Sequence, residues 1–70
     1  MADRIVDARG RSCPEPVVMT KKALETIQGE FQVLVDSEVA RENVQRFAQN
    51  KGCQVRMEEG GNEWKITISP

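Results

Sequence analysis

Apolar positions along the chain change their period several times, and each change marks an element. Ile5-Val6 is a short strand signal, and the polar, glycine-containing run Asp7-Ala8-Arg9-Gly10-Arg11-Ser12 that follows reads as a connection. From Pro14 to about Gln28, residues Val17, Thr20, Ala23, Leu24 and Ile27 recur at helical spacing, with Lys21, Lys22 and Glu25 on other faces. Proline is tolerated in a first helical turn because amides there lack intrahelical acceptors. Pro14 can therefore open this helix with Pro16 still inside the turn, and Gly29 supplies the stop.

Phe31-Gln32-Val33-Leu34-Val35 is short, β-rich and nearly continuous in apolar character, which predicts a central strand covered on at least part of both faces. Asp36 or Ser37 can cap a second helix, with Ala40, Val44, Phe47 and Ala48 as its apolar stripe and Arg41, Glu42, Gln45, Arg46 and Gln49 as its wet side; Gly52 ends it. The rest alternates with period two: Cys53, Val55 and Met57 share one side, then Trp64, Ile66 and Ile68. Glu58 to Glu63 reads as the hairpin connection between these strands. The order is βαβαββ, an α/β chain. Right-handed crossovers put both helices on one face of a four-stranded mixed sheet and leave the other face wet.

Size sharpens this picture. A chain of 70 residues, 39% of them hydrophobic, buries roughly 60% of its unfolded surface while ordering costs on the order of 1.5 kcal/mol per residue. Nearly every apolar residue is needed for one core, so the reading is a single domain, residues 1–70, with little left for a deep pocket. The 10 Lys and Arg against 11 Asp and Glu give a net charge of -1, which argues against direct nucleic-acid binding, since that affinity comes largely from clustered cations on phosphates. No apolar run approaches the roughly 20 residues that span a bilayer, and Met1-Ala2-Asp3-Arg4 is polar with no h-region behind it. A soluble, cytoplasmic protein without membrane contact is expected. Two cysteines and no histidine cannot make a disulfide framework or a four-ligand zinc site of Cys and His. No metal or cofactor is expected, and any chemistry rests on a thiol, a carboxylate or a lysine.

Cys13 is the residue whose location suggests chemistry. It leaves a loop, precedes a proline-opened helix, and lies near Arg9 and Arg11 in sequence. A thiol of pKa about 8.5 is about 3% thiolate at pH 7, and one unit lower gives roughly a quarter. The helix end and the cations act in that direction. The gain is limited, because a helix terminus is worth about 0.3 to 1 kcal/mol, Glu15 adds an opposing charge, and Pro16 has no N–H to offer the sulfur. The thiol is therefore moderately activated, which suits a residue that accepts a sulfur atom and yields it again. Pro14 and Pro16 would fix the backbone and present the sulfur at an exposed edge. Spacing alone leaves a second reading open, in which Cys13 fills space and the prolines only punctuate a helix start, since free cysteine is among the most buried residue types. The neighbours Arg11, Ser12 and Glu15 lean against burial.

Asp7-Ala8-Arg9-Gly10 followed by Cys13-Pro14-Glu15-Pro16-Val17 is similar to the signature of the TusA/SirA/YedF family of small sulfur carriers, whose motif is Cys-Pro-x-Pro. The resemblance extends through nearly the whole chain. Thr20-Lys21-Lys22-Ala23-Leu24 and the run from Val35 to Val44 look most like the amino-terminal domain of YedF-type proteins linked to selenium metabolism. The resemblance implies a two-layer α/β sandwich and a persulfide on Cys13, taken from a cysteine desulfurase or other persulfide donor and passed to a downstream acceptor protein. Relays in this family lead to thiolation of a tRNA wobble uridine, to sulfur oxidation or to molybdenum-cofactor synthesis. One departure is Arg11, where many relatives carry an apolar residue after the glycine. A loop-packing contact is lost there and a guanidinium is gained near the thiol.

Other signals are weaker. Cys53 shares its face with Val55 and Met57, so it reads as a small core hydrophobe before it reads as a resolving thiol. Lys21 and Lys22 read first as a solvated helix face and second as a docking site for an acidic partner. Glu58, Glu59 and Glu63 read as hairpin charges rather than metal ligands, and Trp64 as a core or edge-packing residue. Against the sulfur carrier stand two alternatives: a non-catalytic regulatory or interaction domain in which Cys13 is incidental, and the same carrier chemistry applied to selenium.

Overall fold

The computed structural model describes residues 5–11, 15–27 and 29–69, and the chain runs β1 (Ile5–Asp7), α1 (Glu15–Thr26), β2 (Phe31–Val35), α2 (Glu38–Asn50), β3 (Gln54–Gly60) and β4 (Glu63–Ser69). The sheet order is β1-β2-β4-β3, with β1 parallel to β2 and β4 antiparallel to both of its neighbours. This is the mixed four-stranded sheet that the periodicity and the crossover rule predict, and the α/β sandwich that the resemblance implies.

The register explains the hydrophobic pattern. Val33 lies opposite Ile66, Phe31 opposite Ile68 and Val35 opposite Trp64, so these side chains share the face covered by the helices. Phe31, Val33, Val35, Ile66 and Ile68 are fully buried there together with Val44 and Ala48 of α2. Each large one of them contributes about 1.5 to 3 kcal/mol. Gln32, Leu34, Lys65 and Thr67 form the other face and stay partly exposed.

Local chemistry sets the helix ends. Ser37, not Asp36, is the N-cap of α2: its backbone is extended and its hydroxyl accepts from the Ala40 N–H at 3.0 Å, worth about 1 kcal/mol. At the other end Gly52 has φ +83°, its N–H donates to the Gln49 carbonyl at 3.0 Å, and the Cys53 N–H donates to the Ala48 carbonyl at 3.1 Å. That double bond pattern is a Schellman cap, and the left-handed residue it needs is the glycine.

Two expectations need correction, and a third can be followed only within the described residues. The first helix spans Glu15–Thr26; the ends expected at Pro14 and Gln28 lie outside the described residues. The hairpin connection is shorter than expected, because the strands continue to Gly60 and resume at Glu63, leaving Gly61 and Asn62. Gly61 has φ +63° while no non-glycine residue among the described residues has a positive φ, the sign pattern of a type II′ turn, whose twist matches that of the strands. Finally, Arg41 does not belong to the wet side of α2. It is half-buried, with its guanidinium 5.8 Å from the Trp64 ring centroid and its Nη1 3.6 Å from the Met57 sulfur. The long aliphatic stem covers the open edge of the core while the charge lies on the indole.

Candidate functional site

The C-terminal ends of β1 and β2 and the start of β4 meet at one end of the sheet, and both helices leave from that end. There the Ala8 N–H donates to the Leu34 carbonyl at 2.9 Å, extending the ladder by one residue, and the chain then turns with the Arg11 N–H donating to the Ala8 carbonyl at 3.3 Å. Gly10 occupies the third position of this turn with φ +76°, the left-handed value of a type II turn. Its N–H donates to Asp36 Oδ2 at 3.0 Å. The loop that leads to Cys13 is thereby tied to the loop between β2 and α2.

Arg9 adds a second tie. Its guanidinium grips Asp7 with two parallel bonds, Nε to Oδ1 and Nη2 to Oδ2, each 2.9 Å, and reaches Glu63 Oε2 with Nη1 at 3.2 Å. The Arg9 side chain is 41% exposed, so solvent screens these pairs, and what the network supplies is a fixed route for the loop. Hydrogen bonds from the Arg9 side chain hold the Asp7 carboxyl down at a pKa of about 2, from an ordinary 3.8, and Asp7 in turn holds the guanidinium above its usual range. One cation faces two carboxylates here, so Arg9 is matched locally and offers little to a neighbouring thiolate. Arg11 is exposed and in no ion pair among the described residues; it is the cation left near the thiol in sequence.

Ser12, Cys13 and Pro14 lie outside the described residues. On the far side of them Glu15 is exposed, whereas Pro16 is fully buried. Thr20, also fully buried, donates its hydroxyl to the Pro16 carbonyl at 2.8 Å. Pro16 therefore anchors the start of α1 in the core, a packing role in addition to the presentation expected from its place in the motif.

The sequence profile of the family described as sulfurtransferase TusA matches residues 4–69. A protein of Methanocaldococcus jannaschii, named a “putative sulfur carrier protein”, is 41% identical over 97% of this chain and 95% of its own length. A protein of Thermotoga maritima with the same description is 38% identical over 93% of this chain and 87% of its own. The crystal structure of a SirA-like protein from Desulfitobacterium hafniense superposes with a TM-score of 0.84 at 36% identity, covering 93% of both chains. This chain belongs to the TusA family.

In this TusA-family chain, Lys21 and Lys22 are both exposed on α1, as read from the sequence. Cys53 is half-buried and packs against the core with Val55 and Met57. It lies at the end of β3 away from the Arg9 loop, about 20 Å along the strand from Glu59. The sequence reading passed over Asp36 and Glu63 as ties for the loop. Asp7 and Arg9 at spacing two are visible as a local pair, but their partner Glu63 is 54 positions from Arg9, and only the sheet register brings the two together.

Proposed function

We propose that the protein carries sulfur as a persulfide on Cys13. The Cys13 thiolate attacks the terminal sulfur of a donor persulfide; an S–S bond forms at Cys13, the donor's own S–S bond breaks, and its electron pair leaves on the donor cysteine as a thiolate. Delivery repeats the exchange, with an acceptor thiol attacking the terminal sulfur and Cys13 leaving. The transferred sulfur keeps its oxidation level, so no external oxidant or reductant enters the balance. The observation that carries this reading is Cys13-Pro14-Glu15-Pro16 at the entry to α1, in a chain matched by the TusA family from residue 4 to 69.

The donor in this reading is a cysteine desulfurase, and the acceptor is a downstream relay protein, with tRNA thiolation as one terminus and the cytoplasm as the place of work. The loop tied at Gly10 and Arg9 favours transfer by lowering the ordering cost of docking, and Lys21 and Lys22, exposed on α1, attract an acidic surface. Incubation with a cysteine desulfurase and cysteine, followed by mass spectrometry, should add about 32 Da at Cys13, removable by reductant. Sulfur acceptance by Cys13→Ser at the wild-type level would overturn the assignment.

A further inference from the structure

β3 is an open edge of the sheet. The strand order β1-β2-β4-β3 leaves it one neighbour, and it pairs with β4 without a bulge, from Gln54 opposite Ser69 to Gly60 opposite Glu63. Natural edges are blunted by short strands, bulges, proline or lysine. The other edge strand, β1, has three residues, whereas β3 has seven and contains neither proline nor lysine. Gly60 and Glu63 flank the two-residue turn, and in such a hairpin the flanking pair exchanges both backbone bonds. Counting back in twos, Glu58, Arg56 and Gln54 bond to β4, while Val55, Met57 and Glu59 turn their N–H and C=O groups away from the sheet. No other segment among the described residues takes up those groups. The edge also carries a charge pattern. Opposite Thr67 and Lys65, Arg56 and Glu58 stand exposed on the face that the helices leave uncovered. Arg56 has no ion pair among the described residues, and the Glu58 side chain, 71% exposed, has a loose 3.8 Å contact with Lys65.

We propose that β3 pairs antiparallel with β3 of a second copy of this chain, about a twofold axis at Met57, so that the two sheets become one. The outward backbone groups are open to symmetric registers centred on residues 55 to 59, and charge and overlap select among them. Centring on Arg56 sets that cation against itself, and centring on Glu58 or Glu59 sets carboxylate against carboxylate. Centring on Val55 runs off the start of the strand and leaves only residues 54–56 paired. Centring on Met57 pairs the whole of β3 and puts Arg56 of each copy opposite Glu58 of the other. These are the closely spaced positions without backbone bonds, where facing side chains interact most directly. Met57 then exchanges both backbone bonds with its counterpart, and Val55 exchanges both with Glu59 of the other copy. α2 lies over β3 and β4, so a twofold axis normal to the sheet keeps all helices on one face and sets the two α2 helices about 10 Å apart, an ordinary packing distance. Their facing flank is polar, with Glu38 and Arg41 beside Met57 and Glu59. Little apolar surface is buried, and the dimer is accordingly weak and reversible. β1 becomes the outer strand of each copy, and the two Arg9 loops point to opposite ends of the joined sheet. Both thiol-bearing loops therefore stay open, and the inference stands apart from the carrier reading of Cys13.

Sedimentation equilibrium from about 10 μM to about 1 mM, at low salt and with a reductant that keeps both cysteines as thiols, should show a monomer–dimer equilibrium with its Kd in that range. Arg56→Glu alone and Glu58→Arg alone each set like charges opposite one another at both pairs, and each should weaken the dimer at least about tenfold. Mixed in equal amounts, the two variants form both ion pairs again, so a heterodimer of about wild-type strength should return. Glu58→Arg also faces Lys65 of its own chain; if it unfolds, Glu58→Arg/Lys65→Glu takes its place in the mixture. Amide exchange followed by NMR gives the second readout. Protection of the Val55, Met57 and Glu59 amides should rise with concentration, while β4 protects those of Arg56 and Glu58 throughout. A chain that stays monomeric at the top of the concentration range would overturn the pairing. So would a dimer indifferent to both charge reversals, a mixture that fails to recover it, or a dimer in which those three amides remain unprotected.

Discussion

Pro16→Ala separates the two roles that this residue combines. The proline side chain is less than 2% exposed, and truncation to alanine deletes two ring methylenes from the core, about 0.8 kcal/mol each. The unfolded chain also gains backbone freedom, which costs a further 0.4 to 1 kcal/mol or so. Alanine's higher helix propensity gives little back, because position 16 is in the first turn of α1, where proline breaks no intrahelical bond. The net loss should be about 2 kcal/mol, equivalent to a fall in Tm of about 10 °C for a chain of this size. Urea unfolding followed through the single, half-buried Trp64 measures it. Glu15→Ala, exposed on the same turn, is the control and should stay within about 0.5 kcal/mol. A loss below about 0.5 kcal/mol for Pro16→Ala would refute the packing argument. Under conditions where the variant remains folded, any slowing of sulfur transfer then reports presentation alone.

Arg9→Gln should let the Asp7 titration midpoint climb from about 2 toward the ordinary 3.8. Because the folded value is the depressed one, the stabilising contribution is present above about pH 4 and fades as pH falls toward 2, so carboxyl NMR in acid is the assay and an unmoved midpoint contradicts the pairing. Gly10→Ala meets no heavy atom within 4 Å, yet φ +76° should cost it about 1 kcal/mol; a neutral result would mean that the turn rearranges freely. Cys53→Ala should keep sulfur acceptance and lose about 1 kcal/mol of stability, and abolished transfer in the folded variant would make Cys53 part of the chemistry.

The elements and their order were legible in the sequence because each depends on neighbours in the chain. Helical spacing from Val17 to Ile27, alternation from Val55 to Ile68, and the caps at Ser37 and Gly52 are local patterns that short-range sterics and hydrogen bonding enforce. The Cys13-Pro14-Glu15-Pro16 motif was legible for the same reason, being contiguous. Other features depend on which strand lies beside which. The sheet order sets Glu63, at the start of β4, across β2 from the end of β1, where Arg9 can reach it, and the Gly10 N–H finds Asp36 only because β2 runs parallel to β1. Arg41 looked like a surface residue until β4 carried Trp64 beneath it. Pro16 reads in the sequence as a backbone constraint that presents the thiol, and its packing role exists only once α1 settles on the sheet and buries its ring. An open groove flanked by Lys21 and Lys51 exists only once α1 and α2 pack side by side. Local periodicity specifies what each segment becomes, whereas charge pairing and cavity shape depend on distances between residues far apart in the chain, which the packing of the sheet and helices alone decides.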